Sequence, residues 1–140
     1  MKLSCKGRYA VMAIGDLANF DPKEPISLRD ISLRQGISLV YLEQLFLNLK
    51  KNNIVHSVRG NRGGYILAKH ASEIKISEVL LAVEEKVKTI GCEKHSKKGC
   101  NGKSHKCISH NLWDELENYI NDFFEKKSLG DLIKRNENKI

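Results

Sequence analysis

Three cysteines and one histidine lie close together in the second half of this 140-residue chain. Their spacing is Cys92-x7-Cys100-x6-Cys107-x2-His110. Thiolates and a neutral imidazole are soft ligands that suit an iron–sulfur cluster or zinc. Structural zinc usually takes two short chelating pairs, and here only Cys107 and His110 form one. The spacing favours an iron–sulfur cluster, and it leaves zinc and a redox-active thiol as alternatives.

The stretch that carries these ligands is basic and rich in glycine. Between Cys92 and Cys107 there are five lysines and one acid, Glu93, so five minus one gives +4 of the chain's net charge of +7. The lysines would offset the charge of three thiolates, and the glycines let backbone amides approach sulfur. Because most of the excess charge lies here, net charge alone is only a weak indication of a nucleic-acid partner.

The composition is that of a globular protein, with 41% hydrophobic and 29% charged residues. Every apolar run is shorter than the roughly 20 residues that span a bilayer, and the N-terminus does not resemble a signal peptide. We therefore expect a cytoplasmic protein, in which clustered cysteines bind metal or do redox chemistry. The sequence has no C-x-x-C motif and no nucleotide-binding loop, so we do not expect an enzyme.

The residues before the ligands have the pattern of a helix-turn-helix. Apolar residues at helical spacing predict a first helix over residues 8–20. Ser27 and Asp30 resemble a capping box, and Gly36 suits the left-handed turn that ends a short second helix. Ser38 can cap a third helix. Its apolar face comprises Leu42, Leu45, Phe46 and Leu49. Two short helices joined by a tight turn predict a helix-turn-helix.

A hairpin and two further helices complete the predicted architecture. Two β-type runs flank RGNRGG at residues 59–64 and predict a basic wing, and residues 76–87 predict an amphipathic helix. The fold class is mainly α with a small β-hairpin. We expect a winged helix-turn-helix DNA-binding domain at 1–75, and a cluster-binding loop with a long C-terminal dimerisation helix at 76–140.

The last predicted helix carries an apolar and aromatic stripe. Its members are Leu112, Leu116, Tyr119, Ile120, Phe123 and Phe124. This stripe could pack on its own domain or form the seam of a homodimer. We favour the homodimer, because DNA readers of this kind usually bind two half-sites and an exposed stripe of this size would be adhesive.

Several stretches together resemble the IscR-type iron–sulfur cluster regulators, a family of winged-helix transcription factors. These stretches are KGRYAV, DIS-RQGIS-YLEQLF, VRG with GGY, and the three cysteines and histidine followed by LW. The resemblance extends from Met1 to about residue 136. It implies a homodimer that binds double-stranded promoter DNA and carries a [2Fe–2S] cluster. The implied metal ligands are Cys92, Cys100, Cys107 and His110. One imidazole among thiolates can be protonated and leave, which suits a sensor.

The resemblance also implies which side chains meet DNA. The recognition helix would place Ser38, Val40, Tyr41, Glu43 and Gln44 near base edges in the major groove. Gln44 can form paired hydrogen bonds with adenine. Glu43 can accept a hydrogen bond from cytosine, and at other positions its charge is repelled by base acceptor groups or by phosphates. The remaining contacts come from cations. Arg59 would enter the minor groove, and Arg62, Lys50 and Lys51 would meet phosphates.

Departures from the family pattern bear on function. The first two cysteine spacings are longer than expected, and Val40 replaces a small polar residue. Relatives that sense nitric oxide take a ligand from an N-terminal aspartate, and Arg8 at the matching position argues against that variant. The sequence therefore predicts a cluster-sensing regulator of cluster-assembly genes, with assembly scaffolds as cluster donors. The alternatives are a winged-helix regulator with structural zinc, or a thiol redox or nitric oxide sensor.

Overall fold

The computed structural model describes residues 3–85 and 107–137, with side chains up to residue 133. It is mainly helical and contains one two-stranded antiparallel hairpin. The elements are α1 (Cys5–Ala18), α2 (Leu28–Gln35), α3 (Leu39–Lys51), β1 (Val55–Val58), β2 (Gly64–Leu67), a 3-10 turn (Ala71–Glu73), α4 (Ile76–Ala82), α5 (His110–Lys126) and α6 (Leu129–Glu137). Among the described helices, none is long and apolar enough to cross a membrane.

The two short helices α2 and α3 begin and end at the residues that the sequence predicted. The Ser27 hydroxyl accepts a hydrogen bond from the backbone N–H of Asp30 at 3.2 Å. Gly36 ends α2 with φ +67°, a left-handed conformation that glycine adopts without a Cβ penalty. The Ser38 hydroxyl accepts from the N–H of Tyr41 at 3.5 Å and caps α3. These caps fix the tight turn, so the predicted helix-turn-helix is confirmed.

The hydrophobic core lies where α3 packs beneath α1 and α4. Leu42, Leu45, Phe46 and Leu49 are all buried, as the helical periodicity predicted. On the hairpin side, the Phe46 ring meets the Tyr65 ring edge-on, with 5.0 Å between centroids. Because one whole face of α3 is buried in this core, the opposite face must point to solvent.

The hairpin is attached to the helix-turn-helix by backbone pairing. β1 and β2 pair from Val55 opposite Leu67 to Val58 opposite Gly64. The segment before α2 adds a bridge, in which the Ile26 N–H donates to the Tyr65 carbonyl at 3.0 Å and the Ile26 carbonyl accepts from the Tyr65 N–H at 2.8 Å. The hairpin is therefore held against the entry to α2, as a wing must be.

The predicted amphipathic helix at 76–87 is shorter in the structure and ends at Ala82. Glu84 has φ +60°, which turns the chain out of the helix. The Glu85 carboxylate then accepts hydrogen bonds from the backbone N–H of Ser4, at 2.6 Å, and from its hydroxyl. The Glu85 side chain crosses Gly7, where a Cβ would lie 2.6 Å from Glu85 Cγ. Local periodicity cannot show this long-range contact, which holds Glu85 against α1 instead of in a continued α4.

The sequence predicted no element after α5, whereas the structure forms α6. Leu129 is completely buried and belongs to the same core as α1 and α4. The backbone N–H of Leu129 donates to the Ile74 carbonyl at 2.9 Å, and α6 packs on α1. The C-terminal residues therefore close over the core behind the helix-turn-helix.

Candidate nucleic-acid interface and cluster ligands

The solvent face of α3 carries the side chains expected at base edges. Val40, Glu43, Gln44 and Leu47 are all exposed on the side opposite the buried leucines. At 100° per residue these four positions share one face of the helix. Leu47 was not among the predicted DNA-facing residues, although its spacing of seven from Val40 was the signal that could have found it.

Two of the residues predicted to face DNA also make contacts within the protein. The Ser38 hydroxyl is engaged in the cap, and the half-buried Tyr41 ring meets the Tyr9 ring edge-on at 5.8 Å. Burial raises the pKa of Tyr41, and electrostatic interactions with Cys5 and Glu85 raise it further. Tyr41 therefore links the recognition helix to the beginning of α1.

Four predicted cations lie exposed at two places around α3. Lys50 and Lys51 occupy its last turn, and Arg59 and Arg62 flank the tip of the wing. Within the described ranges, none of the four makes an ion pair with a carboxylate. Their charge therefore remains available to an external anion such as phosphate.

Two of the four predicted ligands lie at the beginning of α5. His110 is its first residue, is buried, and donates its backbone N–H to the Cys107 carbonyl at 3.1 Å. The exposed Cys107 thiol lies 3.5 Å from the Ser109 hydroxyl, and this hydrogen bond lowers the pKa of Cys107. A thiolate and an imidazole within one turn are the donors that a cluster or zinc requires, so these residues fit the implied group.

Cys92 and Cys100 lie outside the described residues. Within 3–85 and 107–137, no group of three or more histidine, cysteine or acidic residues is arranged to hold a metal ion. A complete ligand set would therefore combine Cys107 and His110 with donors from the remainder of the chain.

The predicted apolar stripe of α5 is divided between core and solvent. Phe124 packs against the hydrophobic core, and Leu116 and Ile120 are half-buried. The other three members are exposed: Leu112, Tyr119 and Phe123. The outer half of the stripe is therefore an apolar surface on the same helix that begins with His110.

Sequence reasoning missed an ion pair that joins α1 to the helix-turn-helix. Asp16 is buried and receives hydrogen bonds from Arg34 and, at 2.8 Å, from the Gln35 amide. The hydrogen bond with Asp16 raises the pKa of Arg34. The available signal was a lone carboxylate between Ile14 and Leu17 on the apolar face of α1, which requires a buried partner.

Comparison with known proteins gives a consistent family. The model of the Rrf2 family, described as an iron-dependent transcriptional regulator, matches residues 3–135. The HTH-type transcriptional regulator IscR of Photorhabdus laumondii is 48% identical over 137 residues, which cover 98% of this chain and 82% of that protein. IscR of Escherichia coli K12 is 48% identical over the same length, covering 98% and 83%.

Solved structures agree with the sequence relatives. T. potens IscR superimposes with a TM-score of 0.79 at 33% identity, covering 100% of this chain and 92% of that one. CymR, the global cysteine regulator of B. subtilis, superimposes with a TM-score of 0.80 at 25% identity, covering 96% and 98%. The relatives are named as regulators and not as enzymes. The chain therefore belongs to the Rrf2 family and is a DNA-binding transcriptional regulator.

Proposed function

We propose that the chain is a homodimeric, cluster-sensing regulator that binds promoter DNA and controls cluster-assembly genes from the cytoplasm. The observation that carries this proposal is the position of Cys107 and His110 at the beginning of α5. The same helix exposes apolar side chains that suit a second copy of the chain. With His110 on this helix and Cys107 three residues before it, ligand binding would affect the dimer surface. The family's description as iron-dependent supports the same conclusion.

The proposed ligands of a [2Fe–2S] cluster are Cys92, Cys100, Cys107 and His110. Such a cluster supplies a redox-active centre that forms only when iron and sulfide are available. Cys107 offers an exposed thiol, and His110 offers a ligand that protonation can remove. The five lysines of the intervening stretch would balance the thiolate charge. Cluster-assembly scaffold proteins would be the donors.

The proposed DNA contacts follow from the exposed face of α3 and from the wing. Five residues of α3 and its cap would face the major groove: Ser38, Val40, Tyr41, Glu43 and Gln44. Gln44 would hydrogen-bond adenine, and Glu43 would accept a hydrogen bond from cytosine. The basic side chains have a separate role. Arg59 would enter the minor groove, while Lys50, Lys51 and Arg62 would contact phosphates and set the salt dependence.

A chain of contacts offers a route from the ligand stretch to the recognition helix. Glu85 lies seven positions before Cys92 in the sequence, and its carboxylate accepts a hydrogen bond from Ser4 at the beginning of α1. One turn along α1, Tyr9 packs edge-on against Tyr41 of α3. A change in the ligand stretch that moves Glu85 would therefore act on the helix that reads DNA.

The test begins with full-length protein purified without oxygen. We expect a red-brown protein with about two iron and two sulfide per chain, the stoichiometry of this cluster type. We expect the triple variant Cys92→Ala, Cys100→Ala, Cys107→Ala to be colourless and to differ from the wild type in affinity for at least one promoter of a cluster-assembly gene. The matched control is Cys5→Ala, which removes an exposed cysteine outside the ligand set and should keep colour, iron and affinity.

Two outcomes would contradict the proposal in different ways. Equal affinity of wild type and triple variant at every promoter would remove cluster sensing and leave an ordinary regulator. A colourless protein with one tightly bound zinc would replace the cluster by a structural metal, because zinc has no visible absorption.

A further inference from the structure

Two exposed apolar side chains mark the middle of the solvent face of α3. Val40 is 64% exposed and Leu47 is 54% exposed. Seven residues separate them, which is almost two helical turns, so their directions differ by only about 20°. Their rise along the helix axis is about 10 Å at 1.5 Å per residue. The face that lies opposite the core therefore presents two apolar positions in line.

Polar side chains surround these two positions. Glu43 and Gln44 lie between them on the same exposed face, and Lys51 follows Leu47 by one turn. Single exposed valines and leucines are ordinary on a protein surface. Here, however, both lie on the face that a helix-turn-helix turns toward the major groove, where they would lose water on binding. Burial there is favourable only against an apolar group of the DNA.

The major groove offers one such group, the C5-methyl of thymine. Successive base pairs rise about 3.4 Å along the duplex axis, and a recognition helix lies inclined to that axis, so a separation of about 10 Å on the helix spans at most roughly three steps. We infer that Val40 and Leu47 read the methyl groups of two thymines that lie within about three base pairs of each other in each half-site. This inference rests on the proposed DNA contacts of α3 and adds the sequence feature that they select.

The expected effect of each methyl contact is moderate and measurable. Removing one methyl group from an apolar contact should weaken binding about fourfold, the factor that corresponds to the transfer of one methyl-sized group. Serine at either position is too short and too polar to replace the contact. Replacing Val40 or Leu47 should therefore remove only the methyl contact that this side chain makes.

The experiment uses full-length protein purified without oxygen and random duplexes of roughly 30 base pairs, long enough for two half-sites. The duplexes that the protein enriches are resynthesised with deoxyuridine in place of one thymidine at a time, which removes only the methyl group. For the wild type we expect about fourfold weaker binding at two thymine positions per half-site, no more than roughly three steps apart. Uracil at other positions should have little effect.

Variants assign each thymine to a side chain. Val40→Ser should abolish the uracil penalty at one position, and Leu47→Ser should abolish it at the other. The matched control is Leu81→Ser, which removes an exposed leucine from α4, outside the helix-turn-helix and the wing, and should keep both penalties. Thermal unfolding of each variant checks that the fold is retained.

The outcomes separate this inference from the function on which it rests. Enrichment of specific duplexes whose binding is insensitive to uracil at every thymine would overturn methyl reading alone. Uracil penalties that both serine variants retain would also overturn it, because other residues would then be responsible. Failure to enrich any sequence would overturn the proposed sequence-specific reading itself.

Discussion

Asp16 and Arg34 join α1 to the end of α2 through a two-point ion pair. Arg34 Nη2 lies 2.8 Å from Oδ1 of Asp16, and Nε lies 3.0 Å from Oδ2. The Asp16 side chain is 4% exposed and the Arg34 side chain 39%. Arg34→Ala would leave a buried charge, so we expect it to lower the free energy of unfolding by about 3 kcal/mol. Asp16→Ala returns the arginine to water and should cost less, about 2 kcal/mol.

Urea unfolding of both variants and of the double variant measures this pair. Because both residues belong to one contact, the free energy of unfolding of the double variant should fall by less than the sum of the decreases in the two single variants. The matched control is Lys69→Ala, which breaks an exposed ion pair with Glu78 at 3.1 Å and should cost no more than about 0.5 kcal/mol. If Arg34→Ala costs as little as this control, the contact does not stabilise the fold.

Gly36 provides a second test of the turn that positions α3. Its φ of +67° is strained for any residue with a side chain, although, apart from its chain neighbours, no atom of the described residues lies within 4 Å of the Cβ position. Gly36→Ala should therefore destabilise the fold by about 1 kcal/mol through backbone strain alone. Gly36→Asn should cost less, because asparagine tolerates the left-handed region better. Urea unfolding in which alanine and asparagine both match the wild type would contradict this assignment.

Tyr41 predicts a specific loss of stability at alkaline pH. Burial raises the pKa of Tyr41 in the folded protein above its ordinary value of 10.0. Above pH 10 the unfolded chain has lost this proton while the folded chain still holds it, so stability falls as the pH rises. Tyr41→Phe keeps the edge contact with Tyr9 and removes the proton. Between pH 9 and 11 its free energy of unfolding should therefore fall less than that of the wild type.

The measurement is urea unfolding of wild type and Tyr41→Phe at several pH values. At pH 8 both states of the wild type hold the proton, so the difference between the two proteins there serves as the baseline. A difference that stays constant from pH 8 to 11 would show that Tyr41 does not contribute to the alkaline loss.

The exposed half of the α5 stripe predicts the oligomeric state. Tyr119→Glu or Phe123→Glu would bury a charge in the proposed homodimer surface, so each should raise the dimer dissociation constant by at least about tenfold. Sedimentation equilibrium measures this constant. Leu33→Glu changes an even more exposed apolar residue on α2 and should leave the dimer intact. A Phe123→Glu protein as dimeric as the wild type would place the homodimer contact elsewhere.

Local signals in the sequence were sufficient for the helix-turn-helix and its solvent face. Ser27, Gly36 and Ser38 act on neighbours within a few residues, and the leucines of α3 follow one periodicity, so their structure can be predicted from short windows. The exposure of Glu43 and Gln44 follows from the burial of the opposite face.

Contacts between distant residues could not be predicted in the same way. Arg34 meets Asp16 across 18 residues, and Glu85 meets Ser4 across 81. No periodicity reports such pairs, because they depend on how the helices pack. The early end of α4 follows from one of these contacts. The burial of Leu129 in α6 also depends on tertiary packing, since its neighbours in sequence are mostly polar.

The crossing of the Glu85 side chain over Gly7 has a consequence for how this regulator can diverge. A single methyl group at position 7 would collide with that side chain at 2.6 Å, and a shortened residue at position 85 would leave a gap beside the glycine and release Ser4. A larger residue at position 7 therefore fits only where the side chain at position 85 moves or is replaced. The contact couples two positions that lie far apart in the sequence, so the effect of substituting one depends on the residue at the other.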